Sequence, residues 1–425
     1  MTAVLFGSLF VFLLIGVPIA LCLGLASIVA MIFSDNVQLF PVIVQRVFTQ
    51  TDNFTLMAVP FFILAGNIME KGGISRRLID FIELLLRRLP GRLSCITVVA
   101  SAFFGAISGS NPATVAAIGG ITVPRMKKKG YPSDVAGAVA ASAGTLGVVI
   151  PPSIPMVTYA VTASLSVGTM FMAGIIPGLL LAVVLCVTNI VLCSKYDAPD
   201  TSKVTGKEVL HAFTDAILAL LMPVIILGGI YSGLFTPTES AAVACVYSFI
   251  VSIFVYKELK MDGIFAIFRD TAVSSAVVLL VVGLSSPFAW FMTFEDLPSL
   301  IATSFLGLFS NKMVLLLMIN VILLFLGCFL ETQSIILLVT PILLPIATAM
   351  GLSHVALGII IIINTSIGMI TPPMAVNLFV ASGVSGSGIG AISKRIIPYL
   401  VVEVATLLVM TYIPQIITFL PNALG

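Results

Sequence analysis

Two polar clusters interrupt long apolar runs in this chain. The first holds Ser108, Ser110, Asn111 and Thr145, beside Gly105, Gly109, Gly144 and Gly147. The second holds Glu331, Thr332, Gln333, Ser334, Asn364, Thr365, Ser366, Thr371 and Asn377, with Gly327 and Gly368. Hydroxyls, amides and one carboxylate, next to glycines that let backbone carbonyls turn inward, are oxygen ligands for a hard monovalent cation. The expectation is one Na⁺ per half, two or more ions in all. The first site is drawn from Gly105, Ser110, Asn111, Gly144, Thr145 and Gly147, and the second from Gly327, Glu331, Thr332, Thr365, Ser366, Gly368 and Thr371. A substrate is expected against Ser108, Ser110, Asn111, Ser153, Thr332, Gln333 and Asn377. Which hydroxyls serve ions and which the substrate stays open, since small polar residues also let membrane helices pack closely.

Glu331 is the sharpest single residue, because an ionised acid near the bilayer centre costs roughly 2.5 to 3.5 kcal/mol on insertion scales. Three roles remain open for it: balancing a cation, capping the second arm of its hairpin, or standing near the aqueous edge. Glu239, in Thr236-Pro-Thr-Glu239, reads as a helix cap; Glu403 is ambiguous; His211 and His354 sit at span edges. The central segments contain no arginine, so an anionic substrate has to be held by helix N-termini, hydroxyls, amides and bound cations. No histidine, lysine or second carboxylate is spaced to activate a nucleophile, and there is no phosphate-binding loop, so neither an enzyme nor an ATP-driven pump is indicated. The six cysteines show no metal-ligand spacing and mostly lie in apolar runs, as small packing residues do.

The elements that position these groups are broken helices. Ala143 to Pro152 and Asn364 to Pro373 each place a double proline and a glycine inside a run that hydropathy reads as one span. Proline removes a donor and disfavours helix before it, and broken backbone in a bilayer survives only under protein cover or against a wet cavity. Two such segments in corresponding halves point to a secondary transporter's binding site. With 59% hydrophobic and 9% charged residues over 425 positions, and a mean hydropathy of +1.21, this is a polytopic membrane protein. The balance of charge, +2, gives no sign of nucleic acid. The run from Val4 to Phe33 reads as a retained first span rather than a leader, and Ile74 to Leu89 as an amphipathic helix lying in the interface.

A repeat organises the rest. Gly147 and Gly368, Pro151-Pro152 and Pro372-Pro373, and Pro177 and Pro398 all stand 221 residues apart, while Gly105 to Gly327 is 222 and Val135 to Val355 is 220. Residues 1–194 form the first repeat, with hairpin 91–126 and broken helix 133–165; 195–233 is linker and connecting span; 234–425 is the second repeat, with hairpin 312–350 and broken helix 352–383. The hairpin tips fall at Ser108 to Pro112 and Glu331 to Ser334. Four crossings per repeat plus the connector make an odd number, which inverts the second copy. Basic residues flank the first hairpin (Arg87, Arg88, Arg92, Arg125, Lys127, Lys128, Lys129) but hardly the second (Glu295, Asp296, Lys312, His354), so the two face opposite sides, with the N-terminus inside. The expected fold is an all-α polytopic inverted-repeat ion-transporter-type fold, with two re-entrant helical hairpins and two broken transmembrane helices.

Pro60 to Gly66 with Gly72-Gly73, Gly109 to Thr114, Ile150 to Ser153, Leu234 to Glu239, Thr340 to Pro345, and Thr371 to Pro373 with Asn377 to Val380 together resemble the large membrane subunit of tripartite ATP-independent periplasmic (TRAP) transporters. The resemblance covers nearly the whole chain. It implies a multi-pass protein of the bacterial inner membrane that imports an organic acid of the C4-dicarboxylate or sialic acid class, driven by Na⁺. It implies a small four-helix membrane subunit, here separate, a periplasmic substrate-binding protein, and an elevator-type motion carrying Ser110, Asn111, Thr332 and Gln333. The competing reading is a stand-alone ion-coupled carboxylate transporter that needs no binding protein.

Overall fold

The computed structural model describes residues 2–34, 37–199, 205–297, 300, 303 and 311–424, and every regular element among them is helical. Residues 200–204 of the expected linker lie outside the described residues. The helices are α1 (Thr2–Leu14), α2 (Ile19–Phe33), α3 (Phe40–Thr51), α4 (Ala58–Lys71), α5 (Ile74–Leu86), α6 (Arg92–Ser108), α7 (Asn111–Lys128), α8 (Ser133–Ala143), α9 (Ile154–Thr162) and α10 (Val167–Cys193). They continue as α11 (Gly206–Tyr231), α12 (Pro237–Ile250), α13 (Met261–Phe294), α14 (Lys312–Gly327), α15 (Thr332–Ala349), α16 (His354–Gly368), α17 (Val376–Ser385), α18 (Ile389–Tyr412) and α19 (Gln415–Leu424). Seven helical stretches among the described residues are long and apolar enough to cross a membrane.

The run read as one span from Val4 to Phe33 is two helices. Gly16 takes a left-handed φ of 82° and Pro18 cannot continue a helix, so the chain turns back and α1 packs against α2. Placing the N-terminus inside counted one crossing there and no longer follows. The α5 helix has the expected amphipathic pattern, but its apolar face, Ile74, Leu78, Ile79 and Ile82, is buried against α6 and α11 instead of facing lipid. Its polar face is tied down by ion pairs: Arg125 of α7 reaches Asp80 and Glu83, each at 2.8 Å, and Arg77 reaches Glu258 at 2.6 Å.

Packing follows the repeat. By the constant offset, α2 corresponds to α12, α7 to α15, α8 to α16, α9 to α17 and α10 to α18, while α3 and α4 together correspond to the single long α13. The contacts come in exchanged pairs: α2 packs on α13 as α12 packs on α4, and α7 on α17 as α15 on α9. Each half therefore completes the other. The hairpins differ in one respect. Arms α6 and α7 pack closely on each other, whereas α14 and α15 touch at few points among the described residues.

Candidate functional site

At the first tip, Gly109 adopts a φ of 57°, which reverses the chain between α6 and α7, and Ser110 caps α7 by accepting from the Ala113 amide. The second tip sits slightly earlier than expected. Its loop is Cys328 to Glu331, and Thr332 to Ser334 already form the first turn of α15, because Glu331 is the residue with extended dihedrals (φ −73°, ψ 148°). Glu331 occupies the N-cap position of α15, where its side chain accepts no capping hydrogen bond.

Both broken helices open where the sequence requires. Between α8 and α9 a 3₁₀ turn, Gly144–Val148, leads into Pro151-Pro152; between α16 and α17 lies Met369 to Ala375. The first arm of each hairpin ends against the break. A methyl built on Gly105 would fall 2.8 Å from the Cα of Gly147, and one on Gly327 would fall 2.9 Å from the Cα of Gly368. Only glycine permits this backbone approach.

A cavity of about 340 Å³ lies between the tips and the helices facing them. Ser108, Ser110, Asn111, Glu331, Thr332 and Gln333 line it, as expected from the sequence, and Ile154 and Pro155 add the start of α9. Three helix N-termini, those of α7, α15 and α9, therefore open into one space. The wall contains no lysine or arginine; its charged residues are Glu331 and Glu70. Two expected substrate residues lie elsewhere. Ser153 donates to Val148 O at 2.6 Å, holding the broken loop closed, and Asn377 is buried beside Gly144 with its amide 3.4 Å from Ala141 O.

Residues expected to form two separate ion sites are joined in a single network. Asn111 Nδ2 donates to Ser366 Oγ at 2.7 Å, and Ser366 Oγ donates to Thr145 O at 2.7 Å. Ser366 was assigned to the second site but binds the first half's broken helix, and it stands 221 residues from Thr145, its own repeat counterpart. In the first set, Gly147 lies against Ser110 O, and Gly144 against Asn111 O. In the second set, Thr365 O lies close to Gly327, whereas Thr371 donates back into its helix, to Ile367 O at 2.9 Å. Met369 stands between the tips, with its sulfur 3.5 Å from Asn111 Nδ2 and 3.6 Å from Thr332 Oγ1.

Several buried oxygens here have no donor: Asn111 Oδ1, Gln333 Oε1, Asn364 Oδ1, Asn377 Oδ1 and Glu403 Oε2. Buried acceptors left unpaired in this way are costly, and all are ligands that a hard cation takes. No group of three histidine, cysteine or acidic residues that could hold a metal ion occurs among the described residues. Sequence reading missed the opposite wall, Ile63, Asn67, Glu70, Val273, Ser274 and Val277. Asn67, an amide inside an apolar run and hydrogen-bonded to Thr271 at 2.8 Å, was the available signal.

The Glu331 side chain is exposed to the cavity and has no hydrogen-bond or ion-pair partner among the described residues. Glu331→Gln is therefore expected to leave folding unchanged but to lower substrate uptake by about tenfold, as losing a charged contact of roughly 1.5 kcal/mol would. Initial rates in proteoliposomes measure this, and wild-type uptake would reduce Glu331 to a residue of the aqueous rim.

Interrupted helices in duplicate, closing with two hairpins on a cavity where helix starts converge, define a membrane transporter. The sequence model described as "Tripartite ATP-independent periplasmic transporter, DctM component" matches residues 6–416. The chain is 43% identical over 417 residues to the isethionate TRAP transporter permease protein DctMQ of Oleidesulfovibrio alaskensis, which covers 98% of this chain and 66% of that relative. It is 41% identical to the C4-dicarboxylate TRAP transporter large permease protein DctM of Pseudomonas aeruginosa, over 89% of each chain. To the sialic acid TRAP transporter large permease protein SiaM of Vibrio cholerae it is 36% identical, over 96% of this chain and 95% of the relative. Among solved structures, the Alcanivorax borkumensis YdaH transporter shares the fold, with a TM-score of 0.66 over 88% of this chain and 87% of that one at 17% identity. The chain belongs to the DctM family, the large permeases of TRAP transporters, and is a multi-pass protein of the bacterial inner membrane.

Proposed function

We propose that this chain is the translocating subunit of a Na⁺-driven importer of an organic acid anion. It would work with a small four-helix membrane subunit and a periplasmic substrate-binding protein. The observation that carries the reading is the convergence of three helix N-termini on a cavity that has no basic side chain. Helix starts attract carboxylates through unpaired amides and the positive end of the dipole. With Glu70 and Glu331 also in the wall, the anion needs bound cations to offset them, so substrate and ion sites have to be filled together. Buried acceptors on Asn111, Asn377 and Asn364 suit Na⁺, with two or more ions expected. The names of the relatives, isethionate, C4-dicarboxylate and sialic acid, all denote anions, and the C4-dicarboxylate and sialic acid classes are the first candidates.

The transport step is an elevator movement of inverted repeats. Hairpins α6–α7 and α14–α15 and the broken helices travel as one body, which the hydrogen bonds through Ser366 hold together, past α2, α4, α12 and α13. Purified chain, small subunit and binding protein in liposomes, with candidate acids screened first on the binding protein, test the whole reading. Uptake is expected only with an inward Na⁺ gradient and with the binding protein present. Uptake of free substrate by this chain alone would instead favour a stand-alone carrier, and uptake indifferent to Na⁺ would remove the ion coupling.

A further inference from the structure

We propose that Glu403 carries the charge of the first cation site, so that Na⁺ binds between this carboxylate in α18 and the broken segment at Thr145. The inference rests on Na⁺ being the coupling ion. Glu403 is fully buried, 0% exposed, and its Oε2 has no partner. Its other oxygen lies 3.3 Å from Thr145 Oγ1. That hydroxyl has a single proton to share between Glu403 and Ser142 O, the nearer acceptor at 2.7 Å. With Ser142 O the nearer acceptor, Thr145 Oγ1 offers Glu403 only a long, shared hydrogen bond, and the second carboxylate oxygen, Oε2, stays without a partner, an arrangement a cation completes.

No basic residue does this work instead. Among the described residues Glu403 has no ion pair, and the arginine of its own helix, Arg395, is taken by Asp134 of α8 at 2.8 Å. On the other helices packed against α18, Lys312 of α14 donates to Met350 O and His354 of α16 meets Thr348. A buried carboxylate without a partner is strongly unfavourable in a membrane helix. One carboxylate with neutral oxygens around it matches one positive charge, whereas a Ca²⁺ site draws several acidic ligands.

The position gives this ion a line to the substrate. From Glu403 the contacts run to Thr145, from the Thr145 carbonyl to Ser366, and from Ser366 to Asn111 in the cavity wall. Filling the site fixes Thr145, and through it the tip residue that a substrate touches. Coupling through a contiguous chain of this kind is a physical route, not mere proximity.

The test uses the full-length purified chain in detergent, with its single tryptophan as a reporter of unfolding. Thermal midpoints are measured against NaCl, with choline chloride holding ionic strength constant. Wild type is expected to be stabilised by Na⁺ along a saturable curve. Glu403→Gln keeps the shape but removes the charge, and should move the half-saturating Na⁺ concentration upward by about 10- to 100-fold. It should also melt higher than wild type in choline alone, because the uncompensated charge is gone; a purely structural hydrogen-bonding role predicts a lower midpoint. Should Glu403→Gln fail to fold, Thr145→Val should give the same displacement of the Na⁺ curve. A responding wild type with an unmoved Na⁺ curve in the variant overturns the inference and leaves the Na⁺-driven reading standing. A wild type indifferent to Na⁺ overturns both.

Discussion

Alanine at Gly147 is expected to reduce Na⁺-driven uptake by about 10- to 100-fold, and alanine at Gly368 by a similar factor. A methyl on Gly147 would fall 2.6 Å from the carbonyl oxygen of Ser110 and 2.7 Å from Thr114 Oγ1, while one on Gly368 would meet the backbone of Gly327. The Ser110 carbonyl and the Gly327 atoms are backbone and not the free ends of flexible side chains, so the tip itself has to move away from the break. Overpacking of this kind costs about 1 to 3 kcal/mol, and each 1.4 kcal/mol is about tenfold. The loss should appear as a raised Na⁺ requirement, since the displaced atoms are the carbonyls expected to bind the ion. Gly120→Ala is the matched control: it lies in the same helix as the first tip, and nothing stands within 4 Å of the added carbon. Rates in proteoliposomes across a Na⁺ series decide the matter. Wild-type behaviour of Gly147→Ala would mean that the tip and the broken helix do not form the site together.

Asn111→Ala should be the most damaging polar substitution. Asn111 is wholly buried, and removing its amide leaves Ser366 Oγ without the donor it now has at 2.7 Å. Orphaning a buried polar group costs about 1 to 3 kcal/mol, which corresponds to roughly a 5- to 150-fold loss. Ser366→Ala should raise the Na⁺ requirement in the same direction by breaking the bond to Thr145 O. Because both belong to one network, the double variant should be little worse than the poorer single one. Thr332→Ala is expected to be milder, since its hydroxyl meets only the Met369 sulfur, at 3.6 Å. Additive losses in the double variant would show that Asn111 and Ser366 act separately, and unchanged Na⁺ titrations in Asn111→Ala and Thr332→Ala would remove the assignment of the ion sites.

Much of this was legible in the chain because prolines and glycines mark backbone events directly. The double prolines located both breaks, and Gly109 with Ser110 located the first tip, since these residues constrain dihedrals whatever surrounds them. Gly16 and Pro18 carried the same information, but the uninterrupted hydropathy from Val4 to Phe33 outweighed them in the reading. Periodicity showed which face of α5 is apolar and could not say what covers it; α6 and α11 do, not lipid. A constant offset establishes that Thr145 and Ser366 are equivalent, yet equivalence is not contact, and their hydrogen bond became visible only in three dimensions. Glu403 stayed ambiguous for a related reason. Its significance lies in which atoms fail to surround it, and no one-dimensional pattern records that.

The unequal grip of the two hairpins has a consequence for how readily each tip opens. Local opening is drawn from regions of low contact density. Arms α6 and α7 pack on each other, whereas α14 touches α15 at few points among the described residues and packs on α16 instead, so amide hydrogens at the second tip are expected to exchange faster than those at the first. Should that difference appear in hydrogen exchange, the pseudo-symmetry of the chain would stop short of its kinetics.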